Sequence, residues 1–428
     1  MNEPERTMDQ ITNSVSRRRF IQASAAAGAA LSAKVYAATP GANARLNVGM
    51  IGCGGMATSH LNSLLAMAGD ENIAIRRVCD VYTTRTLEFQ ERVKAAGGEA
   101  TITGDYREVL ADPDIDYVVI ATPEHSHHRL AMAALDAKKH VYCEKPLCHN
   151  IKDCKEVVEK AAASGMKFQV GVQAMADDSY SSAYDAIREG ALGPVVQAEI
   201  DYVRNHPLER GPWRERIDAS MPKPADLNWE EWVNPCSPRP WNPNHYFEWR
   251  CYRDYSGGVS TDLFIHRITR IIRACGLTFP TRAVGMGGIY MWDDGRDLPD
   301  NFEMMAEYPA IEGITPGMTI HLLGTMANKN GLRHCIRGHA ATLVFTDSGW
   351  DIIDEKSNKV VRSHKKTGGE DVTPHHKNHH AAIRNGAPLN CPPELGLYGV
   401  VAVRMANLSW FQRKMIEWEP KGQYAEAW

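Results

Sequence analysis

From residue 45 onward the chain alternates two kinds of apolar segment. Short, nearly unbroken runs ("LNVGMIG", "IAIRRVCD", "DYVVIATP", "HVYCEK") are separated by stretches such as "HLNSLLAM" and "HRLAMAALDA", whose apolar positions recur at helical spacing. A strand that is apolar at consecutive positions must be covered on both faces, and intervening helices supply that cover, so the pattern predicts a parallel sheet. Ligands of such sheets bind where the strands end.

At the end of the first predicted strand stands "GCGGMA", in which Gly52, Gly54 and Ala57 fill G-x-G-x-x-A. The first glycine permits a tight turn, the second lets a pyrophosphate approach the backbone, and the small third residue lets the helix pack closely on the strand. The strand before, the helix after and an acid closing the second strand, Asp80, supply the context that a lone glycine motif lacks. A carboxylate there accepts hydrogen bonds from a free ribose 2′-hydroxyl and repels a 2′-phosphate, which favours NAD(H), while Arg85 nearby leaves NADP(H) open. Residues 45–172 thus read as a Rossmann dinucleotide-binding domain.

Composition narrows the alternatives. The 428 residues are 43% hydrophobic with a formal net charge of −4, and no basic run outside the first twenty residues offers a phosphate-binding surface, so nucleic acid is not an expected partner. The N-terminus carries "SRRRFIQ" before the Ala-rich "ASAAAGAALSA" and the small residues of "VYAA", the pattern of a twin-arginine export signal too short to span a bilayer. Residues 1–44 are read as that signal and a linker, giving a periplasmic or exported protein with no membrane span once mature. Removing residues 1–37 takes away five basic and three acidic side chains and moves the formal charge to −6. The ten cysteines form no disulfide framework, and Cys53, Cys79 and Cys143 sit in apolar runs, so reduced, buried thiols are expected. The spacing Cys143, Cys148, His149, Cys154 lacks the paired knuckles of a structural zinc site, and no metal is expected. The histidines of "HHKNHH", residues 375–380, read as a solvated loop and helix start.

The second half concentrates chemistry in one place. Between Trp229 and Tyr255 eight of 27 residues are aromatic, about 30% against 8% for the chain, beside Arg250 and Arg253. Such rings suit a polyhydroxylated ligand, whose C–H faces lie on them while its hydroxyls find charged donors, and suit equally a loop clamped by its own aromatics. The segment "EWRCYRD" leads directly into "YSGGVSTDLFIH", where helical periodicity puts Asp262 and His266 four apart on one face. Alone, that spacing is more often a surface pair than a catalytic one.

Four motifs in order change this weighting. G-x-G-x-x-A, then Thr122, Pro123 and His127 in T-P-x-x-x-H, then Glu144, Lys145 and Pro146 as E-K-P, then Asp262 and His266 as D-x-x-x-H, resemble the Gfo/Idh/MocA oxidoreductases. The resemblance implies a Rossmann domain followed, over residues 173–428, by an α+β substrate-binding and oligomerisation domain with an open, mostly antiparallel sheet, its C-terminal helix free to return to the Rossmann domain. It also implies a lysine beside the nicotinamide, a cis proline at Pro146, and a homo-oligomer. The run "GVQAMADD" keeps Gln173 but lacks the arginines that often follow in related sequences, altering one wall of the substrate site.

The expected dinucleotide contacts are Gly52, Gly54, Gly55, Met56, Asp80, Thr122, Pro123, His127, Glu144, Lys145 and Gln173; the expected substrate contacts are Arg204, Trp249, Arg250, Tyr252 and Arg253. Oxidising a secondary alcohol requires a base near the hydroxyl: His266 is the candidate, with Asp262 orienting its ring or binding a neighbouring hydroxyl, and Lys145 stabilising charge on the oxygen. The expected substrate is a sugar or glycoside, with C3 of a pyranoside as the carbon. A redox-type glycosidase with no net cofactor change and a non-catalytic carbohydrate-binding or sensor protein are the alternatives. Export implies a tightly held dinucleotide loaded before secretion.

Overall fold

The computed structural model describes residues 45–419, and the twin-arginine signal lies outside them. Six parallel strands, β1 (Leu46–Ile51), β2 (Ile73–Cys79), β3 (Thr101–Thr103), β4 (Tyr117–Ile120), β5 (His140–Glu144) and β6 (Phe168–Gly171), lie in the order β3-β2-β1-β4-β5-β6. The chain order reverses between β1 and β4, where Val48 pairs with Tyr117, and a crevice opens at that point. Every residue of β4 and β6 is buried, as their unbroken apolar runs predict for a sheet covered on both faces.

A second sheet of nine strands follows: β7 (Val195–Val203), β8 (Arg282–Gly288), β9 (Asn301–Tyr308), β10 (Met318–Thr325), β11 (Cys335–Gly338), β12 (Ala341–Thr346), β13 (Gly349–Asp354), β14 (Val360–Lys365) and β15 (Ile416–Glu417). Its order is β14-β13-β12-β11-β7-β10-β9-β8-β15, and apart from the parallel β7–β10 pair its ladders are antiparallel. In β10 buried and half-buried positions alternate strictly, the signature of a sheet with one face packed and one face open. The α/β class and the two-sheet architecture agree with the sequence expectation.

One apolar core joins the halves. It runs from Val118, Ile120 and Val170 of the first sheet, through Ile268 and Ile272 of the helix Ile265–Cys275 and Val400 and Val403 of the helix Pro393–Gln412, to Ile320 and Leu322 of the second sheet. At Gly399 a Cβ would lie 2.7 Å from Ile265 Cδ1, so these two helices pack at a distance only glycine permits there. The ten cysteines are free thiols and nine are buried.

The reading of 375–380 as solvated is corrected. The helix Val372–Asn385 lies on the first sheet, and His375, His376, His379 and His380 are all fully buried. Their burial is tolerated because polar partners meet them: His376 Nε2 lies 2.9 Å from His60 Nδ1, His375 Nε2 2.9 Å from the Val170 carbonyl, and His380 bridges Tyr117 Oη at 2.9 Å and Glu71 at 3.0 Å.

Candidate active site

The strands of the first sheet end around a cleft of about 740 Å³ whose opposite wall comes from the second half of the chain. At the end of β1, Gly52 has φ +96°, and a Cβ there would lie 2.7 Å from the Ala121 carbonyl oxygen. That is the tight turn expected of the first motif glycine. The helix Gly55–Ala66 then starts with no side-chain cap and no acid in its first turn, while Cβ positions at Gly54 and Gly55 face open space apart from Arg85 at 3.9 Å. Uncapped N–H groups and bare backbone at a helix N-terminus make a cradle for a pyrophosphate. Asp80 at the end of β2 accepts from the backbone N–H of Cys53 at 2.7 Å and Tyr82 at 2.9 Å; burial raises its carboxyl, opposed by Arg85 and these two donors. The residues present fit a dinucleotide.

Gly52, Gly54, Gly55, Met56, Asp80, Thr122, Pro123, Glu144, Lys145 and Gln173 all line this cleft. His127 does not. It is buried behind the wall, with ring nitrogens 2.8 Å from the Pro146 carbonyl and 2.9 Å from the Thr122 carbonyl, so it ties the T-P turn to the E-K-P turn instead of touching a ligand. The Lys145–Pro146 bond is cis, as the resemblance implies.

On the facing wall Arg204, Trp249 and Arg250 line the cleft, with the Arg250 guanidinium 4.1 Å above the Trp249 ring. Tyr252 and Arg253 are displaced from it. Tyr252 Oη accepts from Arg214 and its ring packs on His245, while Arg253 is exposed and its backbone N–H donates to Asp297. The break after the short turn Trp249–Cys251 rotates these two side chains away from the face that holds Trp249 and Arg250. Trp229, Trp232, Tyr246 and Tyr255 pack into their own apolar cluster, so for most of these rings the self-clamped loop is what forms, although Trp232 and Tyr246 also present an edge to the cleft.

Lys145, Asp262 and His266 meet in the cleft. Asp262 lies in a π turn, Val259–Phe264, that precedes the helix Ile265–Cys275, so the i, i+4 geometry of a plain α-helix is not what places it relative to His266. Its Oδ1 receives Lys145 Nζ at 2.8 Å and Arg250 Nε at 2.9 Å, and its carbonyl receives Lys145 Nζ at 2.9 Å. Although burial alone would raise it, Arg250 and Lys145 hold the Asp262 carboxyl well below the usual carboxylate range. The expectation that Asp262 orients the imidazole is therefore corrected: its oxygen is committed to two cations, and it is Glu370, 3.4 Å from His266 Nδ1, that faces the ring. Burial pushes His266 down and Lys145 adds to this, with Glu370 opposing. At neutral pH the ring is an uncharged base.

Beneath Lys145, Glu144 accepts from His60 Nε2 at 2.9 Å and Gln173 Nε2 at 2.6 Å, an arrangement that keeps it ionised in spite of burial. Sequence reasoning missed Tyr202, Trp213, Glu215 and Glu370. Tyr202 was within reach of it, because residues two apart on a strand share a face and Arg204 was already a candidate. Among the described residues the ligand-type side chains that gather closely, His128, Asp153 and Glu156, lie outside the cleft lining.

Residues 46–172 match the family described as oxidoreductase family, NAD-binding Rossmann fold, the Gfo/Idh/MocA group. Over 188 residues the chain is 28% identical to an inositol 2-dehydrogenase/D-chiro-inositol 3-dehydrogenase of Lactiplantibacillus plantarum, covering 44% of this chain and 51% of that one. Over 150 residues it is 32% identical to an inositol 2-dehydrogenase of Salmonella paratyphi B, covering 35% and 43%. The matched segment spans about half the length of these curated relatives, or less. Among solved structures, a levoglucosan dehydrogenase in complex with NADH and levoglucosan superposes with a TM-score of 0.65 at 19% identity, over 87% of this chain and 99% of that one. An oxidoreductase domain protein from Kribbella flavida gives 0.67 at 20%, over 87% and 99%. These likenesses establish a shared fold across both halves.

Proposed function

We propose that this chain, whose residues 46–172 match the Gfo/Idh/MocA oxidoreductases, is an exported, NAD-dependent oxidoreductase that interconverts a ring hydroxyl and ketone of a sugar or glycoside. The observation that carries the reading is the meeting of Lys145 and His266 in the cleft that also holds the glycine turn and Asp80. A bound nicotinamide supplies the acceptor and donor of hydride. The protein supplies the proton chemistry: the neutral His266 ring takes the hydroxyl proton, and the Lys145 ammonium, aimed by Asp262, donates to the oxygen as negative charge develops on it. Arg250, stacked on Trp249, offers a planar donor edge to neighbouring hydroxyls. C3 of a pyranoside is the carbon we assign, and the inositol and levoglucosan dehydrogenases among the similar proteins support a polyhydroxylated ring as substrate class.

Export through the twin-arginine route rests on "SRRRFIQ" and its Ala-rich neighbour. That route, which passes folded proteins, requires the dinucleotide to travel inside. Support comes from a segment that straps the cleft on its Asp80 side. Asp226 accepts from Thr84 N–H at 2.8 Å, Asn228 N–H donates to the Val81 carbonyl at 2.8 Å, Tyr82 bridges Leu227, His125 meets the Trp232 carbonyl at 2.8 Å, and Arg129 pairs with Glu231. We also assign a homo-oligomer joined through the open face of the second sheet, where Val284 pairs with Met305 and both side chains, with Met286, are exposed.

The test is absorbance in the reduced-nicotinamide band of protein recovered after export, before and after addition of sugars, glycosides and their 3-keto forms. A retained band that rises or falls with one class supports the proposal and identifies the substrate. Protein that carries no dinucleotide and binds none overturns it. A sugar that raises thermal stability without changing absorbance indicates a binding protein instead.

A further inference from the structure

Glu124 follows the Thr122-Pro123 turn, is 1% exposed and does not line the cleft. A carboxyl withdrawn so far from water is costly unless protein donors replace the water. Its donors all come from one stretch of the second half of the chain. Ser256 Oγ donates to Oε1 at 2.7 Å, Thr261 Oγ1 to Oε2 at 2.7 Å, and the Gly257 N–H approaches Oε2 at 3.3 Å.

That stretch launches the π turn carrying Asp262. Gly258 has φ +65°, a left-handed conformation that favours glycine, and a Cβ on Gly257 would overlap the side chains of Thr261 and Asn407. From the other side Asn407 Nδ2 donates to the Gly257 carbonyl at 3.2 Å and Ser260 Oγ to the Val403 carbonyl at 2.8 Å. The segment is therefore moulded between the helix Pro393–Gln412 and one carboxyl group from the first sheet. Asp262 is the next residue after Thr261, and it holds Lys145 and Arg250.

We propose that Glu124 is the positioning residue of the catalytic segment: it fixes residues 256–261, and through them Asp262 and Lys145, and its own proton sets the net charge beneath the reacting oxygen. The inference rests on the oxidoreductase reading and deepens it. Burial pushes Glu124 up to about 7; the charge of Asp262 adds to this, while the two hydroxyl donors and Lys145 oppose it. The charged groups around it are Asp262 from the π turn, Lys145 from the turn after β5, Arg250 from the aromatic segment and, across Lys145, Glu144 at the end of β5; His149, which meets the Ser256 backbone, is held neutral by burial. Above neutrality Glu124, Asp262 and Glu144 face Lys145 and Arg250, and the cluster carries one excess negative charge; below it Glu124 is neutral, and two carboxylates balance two cations. Either hydroxyl partner can turn to accept from the single O–H of the protonated acid while the other still donates, so the charge changes without releasing the segment.

Two variants test this in the full-length protein. Glu124→Gln is fixed in the neutral state, so it should bind dinucleotide as wild type does, follow the acid-side branch of the wild-type kcat/KM profile at every pH, and lose the step near pH 7. Thr261→Val removes one donor while the Gly257 N–H still reaches Glu124, and should move the step upward by about one pH unit, the weight of one hydrogen bond to a carboxylate. Infrared difference spectra supply a readout that needs no substrate. A protonated-carboxyl band should titrate near pH 7 in wild type, shift upward in Thr261→Val and be absent from Glu124→Gln. A step that persists in Glu124→Gln, or a band confined to the ordinary carboxylic range, overturns the proposal. No turnover with any sugar would instead overturn the oxidoreductase reading, with the infrared titration still deciding the state of Glu124.

Discussion

Asp262 is buried and His266 half-buried in one cleft, yet their surroundings push their chemistry in opposite directions. Asp262 is held ionised by two cations; an acid whose folded value is depressed contributes stability that is present above about pH 4 and is lost as pH falls toward that folded value. Replacing it with asparagine leaves Lys145 and Arg250 facing each other without an anion. Breaking a buried pair in this way costs about 3–5 kcal/mol, so Asp262→Asn should unfold at markedly lower denaturant at pH 7, with the gap to wild type narrowing in acid. His266 is depressed by burial and remains a neutral base at pH 7. The acid limb of the rate profile should therefore fall below about pH 6.5, the ordinary histidine value, and vanish in His266→Gln, whose residual rate should be lower by about 10²–10⁴. At this scale the sequence disclosed which residues matter better than what each one touches. The spacing of Asp262 and His266 was plain, but the π turn that separates their roles depends on Gly258 and on Glu124, a residue 134 positions before Gly258 in the chain. Nothing local to "YSGGVSTDLFIH" announces it.

The elements of the first sheet were legible because consecutive burial leaves consecutive apolar residues, and β1, β2, β4 and β5 fall where those runs lie. The helix Val372–Asn385 was not, because histidine counts as polar in any apolar pattern and here buries its polarity against other polar groups. His60 shows what such a network supports: it links Glu144 in the cleft to His376 on that helix. His60→Ala leaves Glu144 short of a donor in a buried site and should cost about 1–3 kcal/mol, measured as a shift in denaturant midpoint at constant slope. The aromatic segment was legible in composition alone. Its rings mostly clamp one another, and its use lies in the backbone and charged contacts that strap it to the first sheet. Asp226→Ala removes the bonds to the Thr84 N–H and hydroxyl without touching the catalytic groups. Loosening the strap should speed release of the dinucleotide and leave the single-turnover rate unchanged, as stopped-flow dissociation against single-turnover reduction would show.

For the molecule as a whole, the second sheet raises a question that its own core does not answer. Its inner face is filled by Ile320, Leu322 and their neighbours, whereas the outer face exposes Val284, Met286 and Met305 at one end beside paired charges such as Arg337 and Glu199 at the middle. Exposed apolar side chains scattered singly need no explanation, but three gathered on adjacent strands of an open sheet face suit burial against a second copy. Two copies related by a two-fold axis would bring the same patch against itself, where a single charge meets its own image. Met286→Glu therefore places two like charges in one buried interface while altering no residue of the cleft. If the open face joins subunits, the variant should elute as a smaller species than wild type in size-exclusion chromatography with light scattering, and should retain its dinucleotide. An unchanged mass would put the subunit contact elsewhere or leave the protein monomeric, and the exposed methionines would then be ordinary surface.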